Sequence, residues 1–299
     1  MSKSLQIPVM LEQVISGLNI KSGDSVIDAT IGGAGHAKAL LDAIGPDGRL
    51  LGIDWDKDAV ERSRTALNEY KERAIIKQGN YTEIKKIAYE YGFSTANAIL
   101  LDLGISRDQL KDPSRGFAIN SNGPLDMRFS DQAETTAQEI VNTWPEKSLE
   151  KIFTEYGEER HAARVAHIII AARKHGPIDT TRELADVVVR GVRARGRQRV
   201  HPATRVFQAL RIATNRELEN LQQALPDIVD LLSKNGRMAA ITFHSLEDRI
   251  VKFFFRGLAR AEDPTITLVN KHVIKPEREE ILSNRASRSA KLRIIEKIT

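Results

Sequence analysis

Three aspartates and a cluster of glycines form the part of this chain best suited to chemistry. Asp28 ends the β-branched run Val26-Ile27, and a turn with Gly32, Gly33 and Gly35 follows it. A helical pattern runs from His36 to Ile44, and after the Pro46-Asp47-Gly48 turn a second apolar run, Leu50–Ile53, ends in Asp54. A third run, Ala96–Leu101, ends in Asp102. Strand, glycine loop, helix, strand, acid is the order of a nucleotide-type cofactor site at the carboxyl edge of a parallel sheet. Glycines let backbone N–H groups approach the ligand, and an acid ending the second strand can accept from both hydroxyls of a ribose. The competing explanation is a tight strand-to-helix turn with Asp54 as an ordinary helix cap.

The loop does not suit a dinucleotide. In the pattern G-x-G-x-x-G/A counted from Gly33 and Gly35, the third position is Lys38, too large where helix and strand must pack closely. Asp28, just before the loop, suits a cofactor with a cationic amino-acid end. Together these features favour S-adenosyl-L-methionine over a nicotinamide cofactor, whose oxidoreductases need a pyrophosphate loop that is missing here.

Two further segments are dense in polar groups. In Gly123-Pro124-Leu125-Asp126-Met127-Arg128, Asp126 is a candidate catalytic acid, or half of a structural Asp–Arg pair. In Phe243-His244-Ser245-Leu246-Glu247-Asp248-Arg249, Ser245 is a candidate polar contact, or the N-cap of a helix with Asp248 near the capping-box position. Adjacent Ser and His at one strand end cannot make a nucleophile–base bond, which argues against a hydrolase.

Around these residues the chain alternates strands and helices. Strands are expected near 25–30, 49–54, 74–78 and 96–102, and helices near 9–18, 36–44, 56–72 and 82–91. A polar stretch at 106–124 interrupts the pattern and is too long for an ordinary connection. Residues 133–215 are helical in pattern: Ala137–Trp144, Leu149–Tyr156, Glu159–Lys174, Arg182–Val192 and Ala203–Thr214. A helix at 216–234 and strands at Arg237–Phe243, Thr265–Val269 and Leu292–Glu296 resume the alternation. The expected architecture is an α/β, Rossmann-like parallel sheet over 1–105 and 216–299, with a helical domain inserted at 106–215.

The composition is that of an ordinary globular chain of 299 residues, 41% hydrophobic and 28% charged. The absence of cysteine excludes disulfides and thiolate chemistry, and the seven histidines are scattered without ligand spacing, so no metal is expected. No apolar run is long enough to cross a bilayer, and the first residues resemble neither a secretory signal nor a transit peptide; the expected location is the cytoplasm. Net charge is +5, yet Arg190–Arg216 holds eight arginines and no Lys, Asp or Glu, leaving −3 for the rest of the chain. An all-arginine run suits phosphate and base stacking better than it suits a merely solvated face. Arg193, Arg195, Arg197, Arg199 and Arg205 are therefore candidate RNA contacts. A non-catalytic RNA-binding factor would keep these arginines without needing Asp54 or Asp102.

Seven segments occur in one order: Asp-Ala-Thr-Ile-Gly-Gly-Ala-Gly-His, Leu-Leu-Asp-Leu-Gly-Ile-Ser, Arg-Gly-Phe, Gly-Pro-Leu-Asp-Met-Arg, Tyr-Gly-Glu-Glu-Arg, His-Pro-Ala-Thr-Arg-Val-Phe-Gln-Ala-Leu-Arg-Ile and Phe-His-Ser-Leu-Glu-Asp-Arg-Ile-Val-Lys. In these the chain closely resembles the bacterial RsmH/MraW family of 16S rRNA (cytosine-N4)-methyltransferases, nearly end to end. The resemblance implies methyl transfer from S-adenosyl-L-methionine to N4 of a cytidine in the decoding region of small-subunit rRNA. It implies cofactor contacts at Ala34, Gly35, His36, Asp54, Tyr81, Asp102 and Gln109. The family commonly has Gly where this chain has Ala34 and often His where it has Gln6. Asp102 is the first choice for an acceptor at the amine, followed by Asp126 and Ser245. The expected partner is 16S rRNA within an assembled or nearly assembled small subunit, with oligomeric state left open and a homodimer among the options.

Overall fold

In the computed structural model, residues 8–192 and 201–299 are described. Arg193, Arg195, Arg197 and Arg199 lie outside the described residues, as does Gln6. The first stretch of chain gives α1 (Leu11–Leu18), β1 (Ser25–Asp28), α2 (Gly35–Ala43), β2 (Arg49–Asp54), α3 (Lys57–Ala66), β3 (Ala74–Gln78), α4 (Ile84–Glu90) and β4 (Ala96–Asp102). Then come α5 (Arg107–Lys111), α6 (Ala137–Thr143), α7 (Glu146–Glu155), α8 (Ala162–Arg173), α9 (Thr181–Gly191) and α10 (Thr204–Asn215). The chain ends with α11 (Glu217–Leu231), β5 (Leu232–Thr242), α12 (Ser245–Ala259), β6 (Ile266–Leu268), α13 (Arg278–Ser283) and β7 (Lys291–Lys297). It divides into two compact units, Met1–Gly104 with Leu218–Thr299, and Ile105–Glu217.

The first unit is the expected Rossmann-like α/β structure. Its seven strands lie in the order β3-β2-β1-β4-β5-β7-β6. The side-chain period of two sorts the apolar residues onto both faces. Ile27, Leu51, Ile53, Ile99 and Leu101 pack with Ile84, Leu225, Ile228 and Phe255 on one side. Val26, Leu50, Ala98 and Leu100 pack with Val14, Leu18, Leu40 and Leu41 on the other. Burial on both faces is why the central strands are continuous apolar runs rather than alternating ones.

The sheet is not wholly parallel, which corrects one expectation. β7 runs antiparallel to both of its neighbours, β5 and β6. β6 follows β5 through the crossover helix α12 and takes the outer edge, so the returning chain fills the gap between them from the opposite direction. β5 also begins five residues before the expected Arg237. Its ladder with β4 jumps from Ala96↔Leu232 to Ala98↔Arg237, and Asn235 between them has φ 63°. That bulge is written in turn-forming residues, Ser233-Lys234-Asn235-Gly236, and so hid the strand start.

The second unit has its own core. Leu125, Met127, Ile140, Phe153, Val165, Leu184 and Leu210 are among its buried residues. Helix α8 starts at Ala162 rather than Glu159, because the Glu159 carboxylate accepts from the His161 N–H at 2.9 Å and shapes the turn before it. Thr180 and Glu183 form a reciprocal capping box that starts α9.

Candidate active site

β2, β1 and β4 are neighbours in the sheet, and each ends in an aspartate. In register, Asp28 pairs with Gly52 and with Leu100, so Asp54 and Asp102 each stand two residues further along. Thr30 spans the step, its hydroxyl oxygen accepting from the Asp102 N–H at 2.7 Å. Thr30 and the bulged start of β5 were not singled out in the sequence. The Asp-Ala-Thr spacing, which returns the hydroxyl to the face of Asp28, is the signal that could have identified Thr30.

The glycine loop closes over this edge. Gly32 N–H donates to Asp54 Oδ2 at 2.8 Å, and Asp56 N–H donates to Asp54 Oδ1 at 2.9 Å. Asp54 is therefore oriented by backbone, while each oxygen keeps a lone pair for a hydroxyl donor. It is not the cap of the following helix; Asp56 is, accepting from Asp58 N–H. Ala34 precedes α2 with φ 63°, a left-handed conformation that accounts for glycine being at home at this position. Gly35 and His36 open the helix, where backbone N–H groups have no intrahelical partner. Tyr81 follows the Gly79–Asn80 corner after β3, and Gly79 N–H donates to the Asp54 carbonyl at 2.9 Å, tying that corner to the same edge.

Burial dominates the electrostatics. It pushes the Asp28 carboxyl up to about 7, against a hydrogen bond from the Thr30 N–H and with help from Asp54. It pushes Asp54 to about 6, while the N–H groups of Asp56 and Gly32 pull the other way. Asp102 is raised well above the ordinary carboxylate range by burial, then by Asp28 and Glu247. Two carboxyl oxygens, Asp28 Oδ2 and Asp102 Oδ1, are buried with no hydrogen-bond partner among the described residues. Buried polar atoms of this kind are normally satisfied, so orphans at one sheet edge call for a ligand. A cofactor with a cationic amino-acid end and a ribose fits this donor set: carboxylates for the cation, Asp54 for the hydroxyls, loop N–H groups for a carboxylate.

The β5–α12 junction adjoins Asp102 within the same unit. Leu103 N–H donates to the Ile241 carbonyl at 3.0 Å. Glu247 is buried; its Oε2 accepts from the N–H groups of Phe243 and His244 at 2.8 and 3.3 Å, and its Oε1 lies 3.1 Å from His244 Nε2. The N-cap of α12 is His244, not Ser245, because His244 is extended (φ −136°, ψ 169°) while Ser245 is already the first helical residue. Glu247, not Asp248, completes the capping box.

The remaining candidates belong to the helical unit. Gln109 is buried in a capping box with Ser106, its Oε1 accepting from Ser106 N–H at 2.9 Å. Asp126 forms a fork with Arg128: Oδ1 accepts from Nε at 2.8 Å and Oδ2 from Nη2 at 2.9 Å. Partial burial works to raise the Asp126 carboxyl, but Arg128 holds it below the ordinary range. That geometry is the structural alternative, a turn-stabilising ion pair. Arg205 donates to the Glu158 carbonyl at 2.8 Å. Arg211 is committed to the buried Glu217 carboxylate at 2.8 and 2.9 Å, an acid one residue beyond the arginine-rich window.

Residues 3–298 match the model of the MraW methylase family. A protein of Coprothermobacter proteolyticus called ribosomal RNA small subunit methyltransferase H is 47% identical over 290 residues, covering 97% of this chain and 95% of the relative. Proteins of the same name from Thermomicrobium roseum (45% identical, 97% and 93% covered) and Carboxydothermus hydrogenoformans (42% identical, 98% and 98% covered) align equally completely. This chain belongs to the MraW methylase family and is an S-adenosyl-L-methionine-dependent methyltransferase.

Proposed function

We propose that the protein methylates the exocyclic N4 of a cytidine in 16S rRNA of the small ribosomal subunit. The observation carrying this reading is the unpartnered Oδ1 of Asp102 at the end of β4, in a chain whose relatives are called small-subunit rRNA methyltransferases. When bound, the cofactor supplies an electrophilic methyl group on a sulfonium. The cytidine amine is a poor nucleophile because its lone pair is delocalised into the ring. The protein therefore holds it in line and accepts hydrogen bonds from its N–H groups as the pair localises. Asp102 Oδ1 is the acceptor, and the Thr30 hydroxyl fixes the backbone that carries it. Asp54 holds the ribose hydroxyls, and Ala34, Gly35, His36 and Tyr81 complete the cofactor site on the sheet edge. Asp126 serves by shaping its turn with Arg128, and Ser245 by leading α12 away from the β5 end.

The helical unit is the part that recognises RNA, through Arg193, Arg195, Arg197, Arg199 and Arg205. The target base has to be unpaired or flipped out for its amine to be reached. Among the described residues no helix is long and apolar enough to cross a membrane, and a ribosomal substrate fits a cytoplasmic protein. Nucleoside mass spectrometry of 16S rRNA from cells with and without the gene tests the reaction. Loss of N4-methylcytidine at one position is expected, and an unchanged nucleoside profile refutes it. Parallel assays on naked 16S rRNA and on assembled subunits identify the substrate form; the expected substrate is the assembled particle.

A further inference from the structure

His36 does more in this structure than open α2. Its imidazole is buried and makes two directed approaches: Nε2 lies 2.9 Å from the Val9 carbonyl oxygen, and Nδ1 lies 3.6 Å from Asp102 Oδ2. A carbonyl only accepts, so Nε2 carries the ring hydrogen. Burial keeps the ring neutral, its pKa lowered to about 4 even though the Val9 carbonyl favours the charged form. Nδ1 therefore turns a lone pair toward a carboxyl oxygen.

Two acceptors facing each other repel unless a proton lies between them. The groups around Asp102 supply that proton's reason to stay: Asp28 from β1 and Glu247 from α12 both disfavour a negative charge there. Thr30 accepts from the Asp102 N–H, and no described group donates to Oδ1. With the proton on Oδ2, the oxygen left bare is Oδ1, the one buried without a partner. The 3.6 Å separation exceeds a hydrogen bond, and catalytic contacts of this length tighten in the transition-state complex.

We propose that His36 is a positioning residue that acts through Asp102: its Nδ1 takes up the Oδ2 side of the carboxyl, so that Oδ1 is always the oxygen presented to the reacting amine. The inference rests on the placement of Asp102 at the reaction centre. It adds that the imidazole ties the N-terminal segment, through the Val9 carbonyl, to the orientation of that carboxyl.

Two substitutions separate the two contacts of the ring. In His36→Gln the longer amide reaches the Nε2 position and keeps the tie to Val9; in His36→Asn the shorter amide stands at the Nδ1 position and keeps the approach to Asp102. At saturating RNA and cofactor, His36→Gln should lower kcat by up to about 100-fold, the cost of misplacing a positioned group by about 1 Å. The loss in kcat should exceed any rise in the cofactor KM, and the acidic limb of the pH–rate profile should move. His36→Asn should restore most of kcat and the profile. Wild-type kcat and pH profile in folded His36→Gln, or a restored rate in Gln but not in Asn, would overturn the proposal.

A measurement independent of variants at His36 uses the ¹⁵N imidazole spectrum. The Nε2–H tautomer is expected, with an Nδ1 resonance that shifts in Asp102→Ala; an unmoved resonance also overturns the proposal. Full turnover in Asp102→Ala, which lacks both the acceptor and the donor, would remove Asp102 from the reaction itself. Impaired Asp102→Ala beside unimpaired His36→Gln would instead remove only His36.

Discussion

The strand-end acids owe their function to opposing demands. Asp54 is held by two backbone N–H groups and is ready for a ribose. Losing charge-assisted hydrogen bonds costs about 1.5–3 kcal/mol, so Asp54→Ala should weaken S-adenosyl-L-methionine binding by roughly 10- to 100-fold. Calorimetry on the folded variant checks this, and unchanged affinity would take Asp54 away from the ribose. Asp28 is strained in the other direction. Its folded pKa is about 7, above that of an unfolded aspartate, so the folded state binds the extra proton. The stability it contributes is complete below about pH 4 and is lost as pH rises through about 7. The loss is at most about 4 kcal/mol for a shift of three units. Asp28→Asn should flatten that dependence and be more stable than wild type at about pH 8, at the expense of cofactor affinity. Urea midpoints at pH 5 and 8 decide it: an equally steep difference in the variant would show that Asp28 does not carry the proton.

At the scale of elements, the motifs of the helical unit describe a backbone clasp. Gly116 has φ +73°, and a Cβ there would stand 2.1 Å from the Pro124 carbonyl oxygen. A Cβ on Gly123 would stand 1.7 Å from the Pro113 carbonyl oxygen. Around these close approaches, Met127 N–H donates to the Arg115 carbonyl at 3.0 Å, and Arg115 Nη2 donates to the carbonyls of Arg128 and Phe129 at 3.1 and 2.9 Å. The Phe117 and Phe129 rings stack at 5.6 Å. Arg-Gly-Phe and Gly-Pro-Leu-Asp-Met-Arg are thus two halves of one loop pair. Because backbone cannot step aside as a side-chain tip can, Gly123→Ala should destabilise the protein by about 3 kcal/mol, the upper part of the usual overpacking range. Chemical denaturation gives the value, and a loss below about 0.5 kcal/mol, the range of an ordinary surface substitution, would mean the two strands of the clasp are loosely held.

At the scale of the whole molecule, charge is divided unequally along the chain. The arginine-rich window is less uniformly available than its composition implies, since Arg211 is neutralised by Glu217. For about four phosphate contacts, log affinity for single-stranded RNA should fall with log salt at a slope near −2.8. Changing Arg193, Arg195, Arg197 and Arg199 together to Gln should flatten that slope by about 2 to 3 units. Cofactor affinity serves as the control and should not change. A slope equal to wild type would mean that the run is a solvated face and that RNA is held elsewhere, with Arg285, Arg288, Lys291 and Arg293 the next segment to test.

Periodicity and punctuation in the sequence were enough to determine the central strands, the glycine loop and the three acids that end β1, β2 and β4. Local rules suffice there, because a strand buried on both faces must be an apolar run and a loop that meets a ligand must be small. The long ordered motifs likewise identified the family and its cofactor. Only the tertiary structure decided that β7 enters antiparallel, since strand direction at a sheet edge depends on which gap the returning chain finds. It also decided that His244 rather than Ser245 caps α12, that Asp126 and Arg211 are committed to partners, and that a histidine of the cofactor loop faces Asp102. Those outcomes depend on which distant groups meet in space, on the buried carboxylates nearby and on who donates to whom, and spacing along a chain does not encode them.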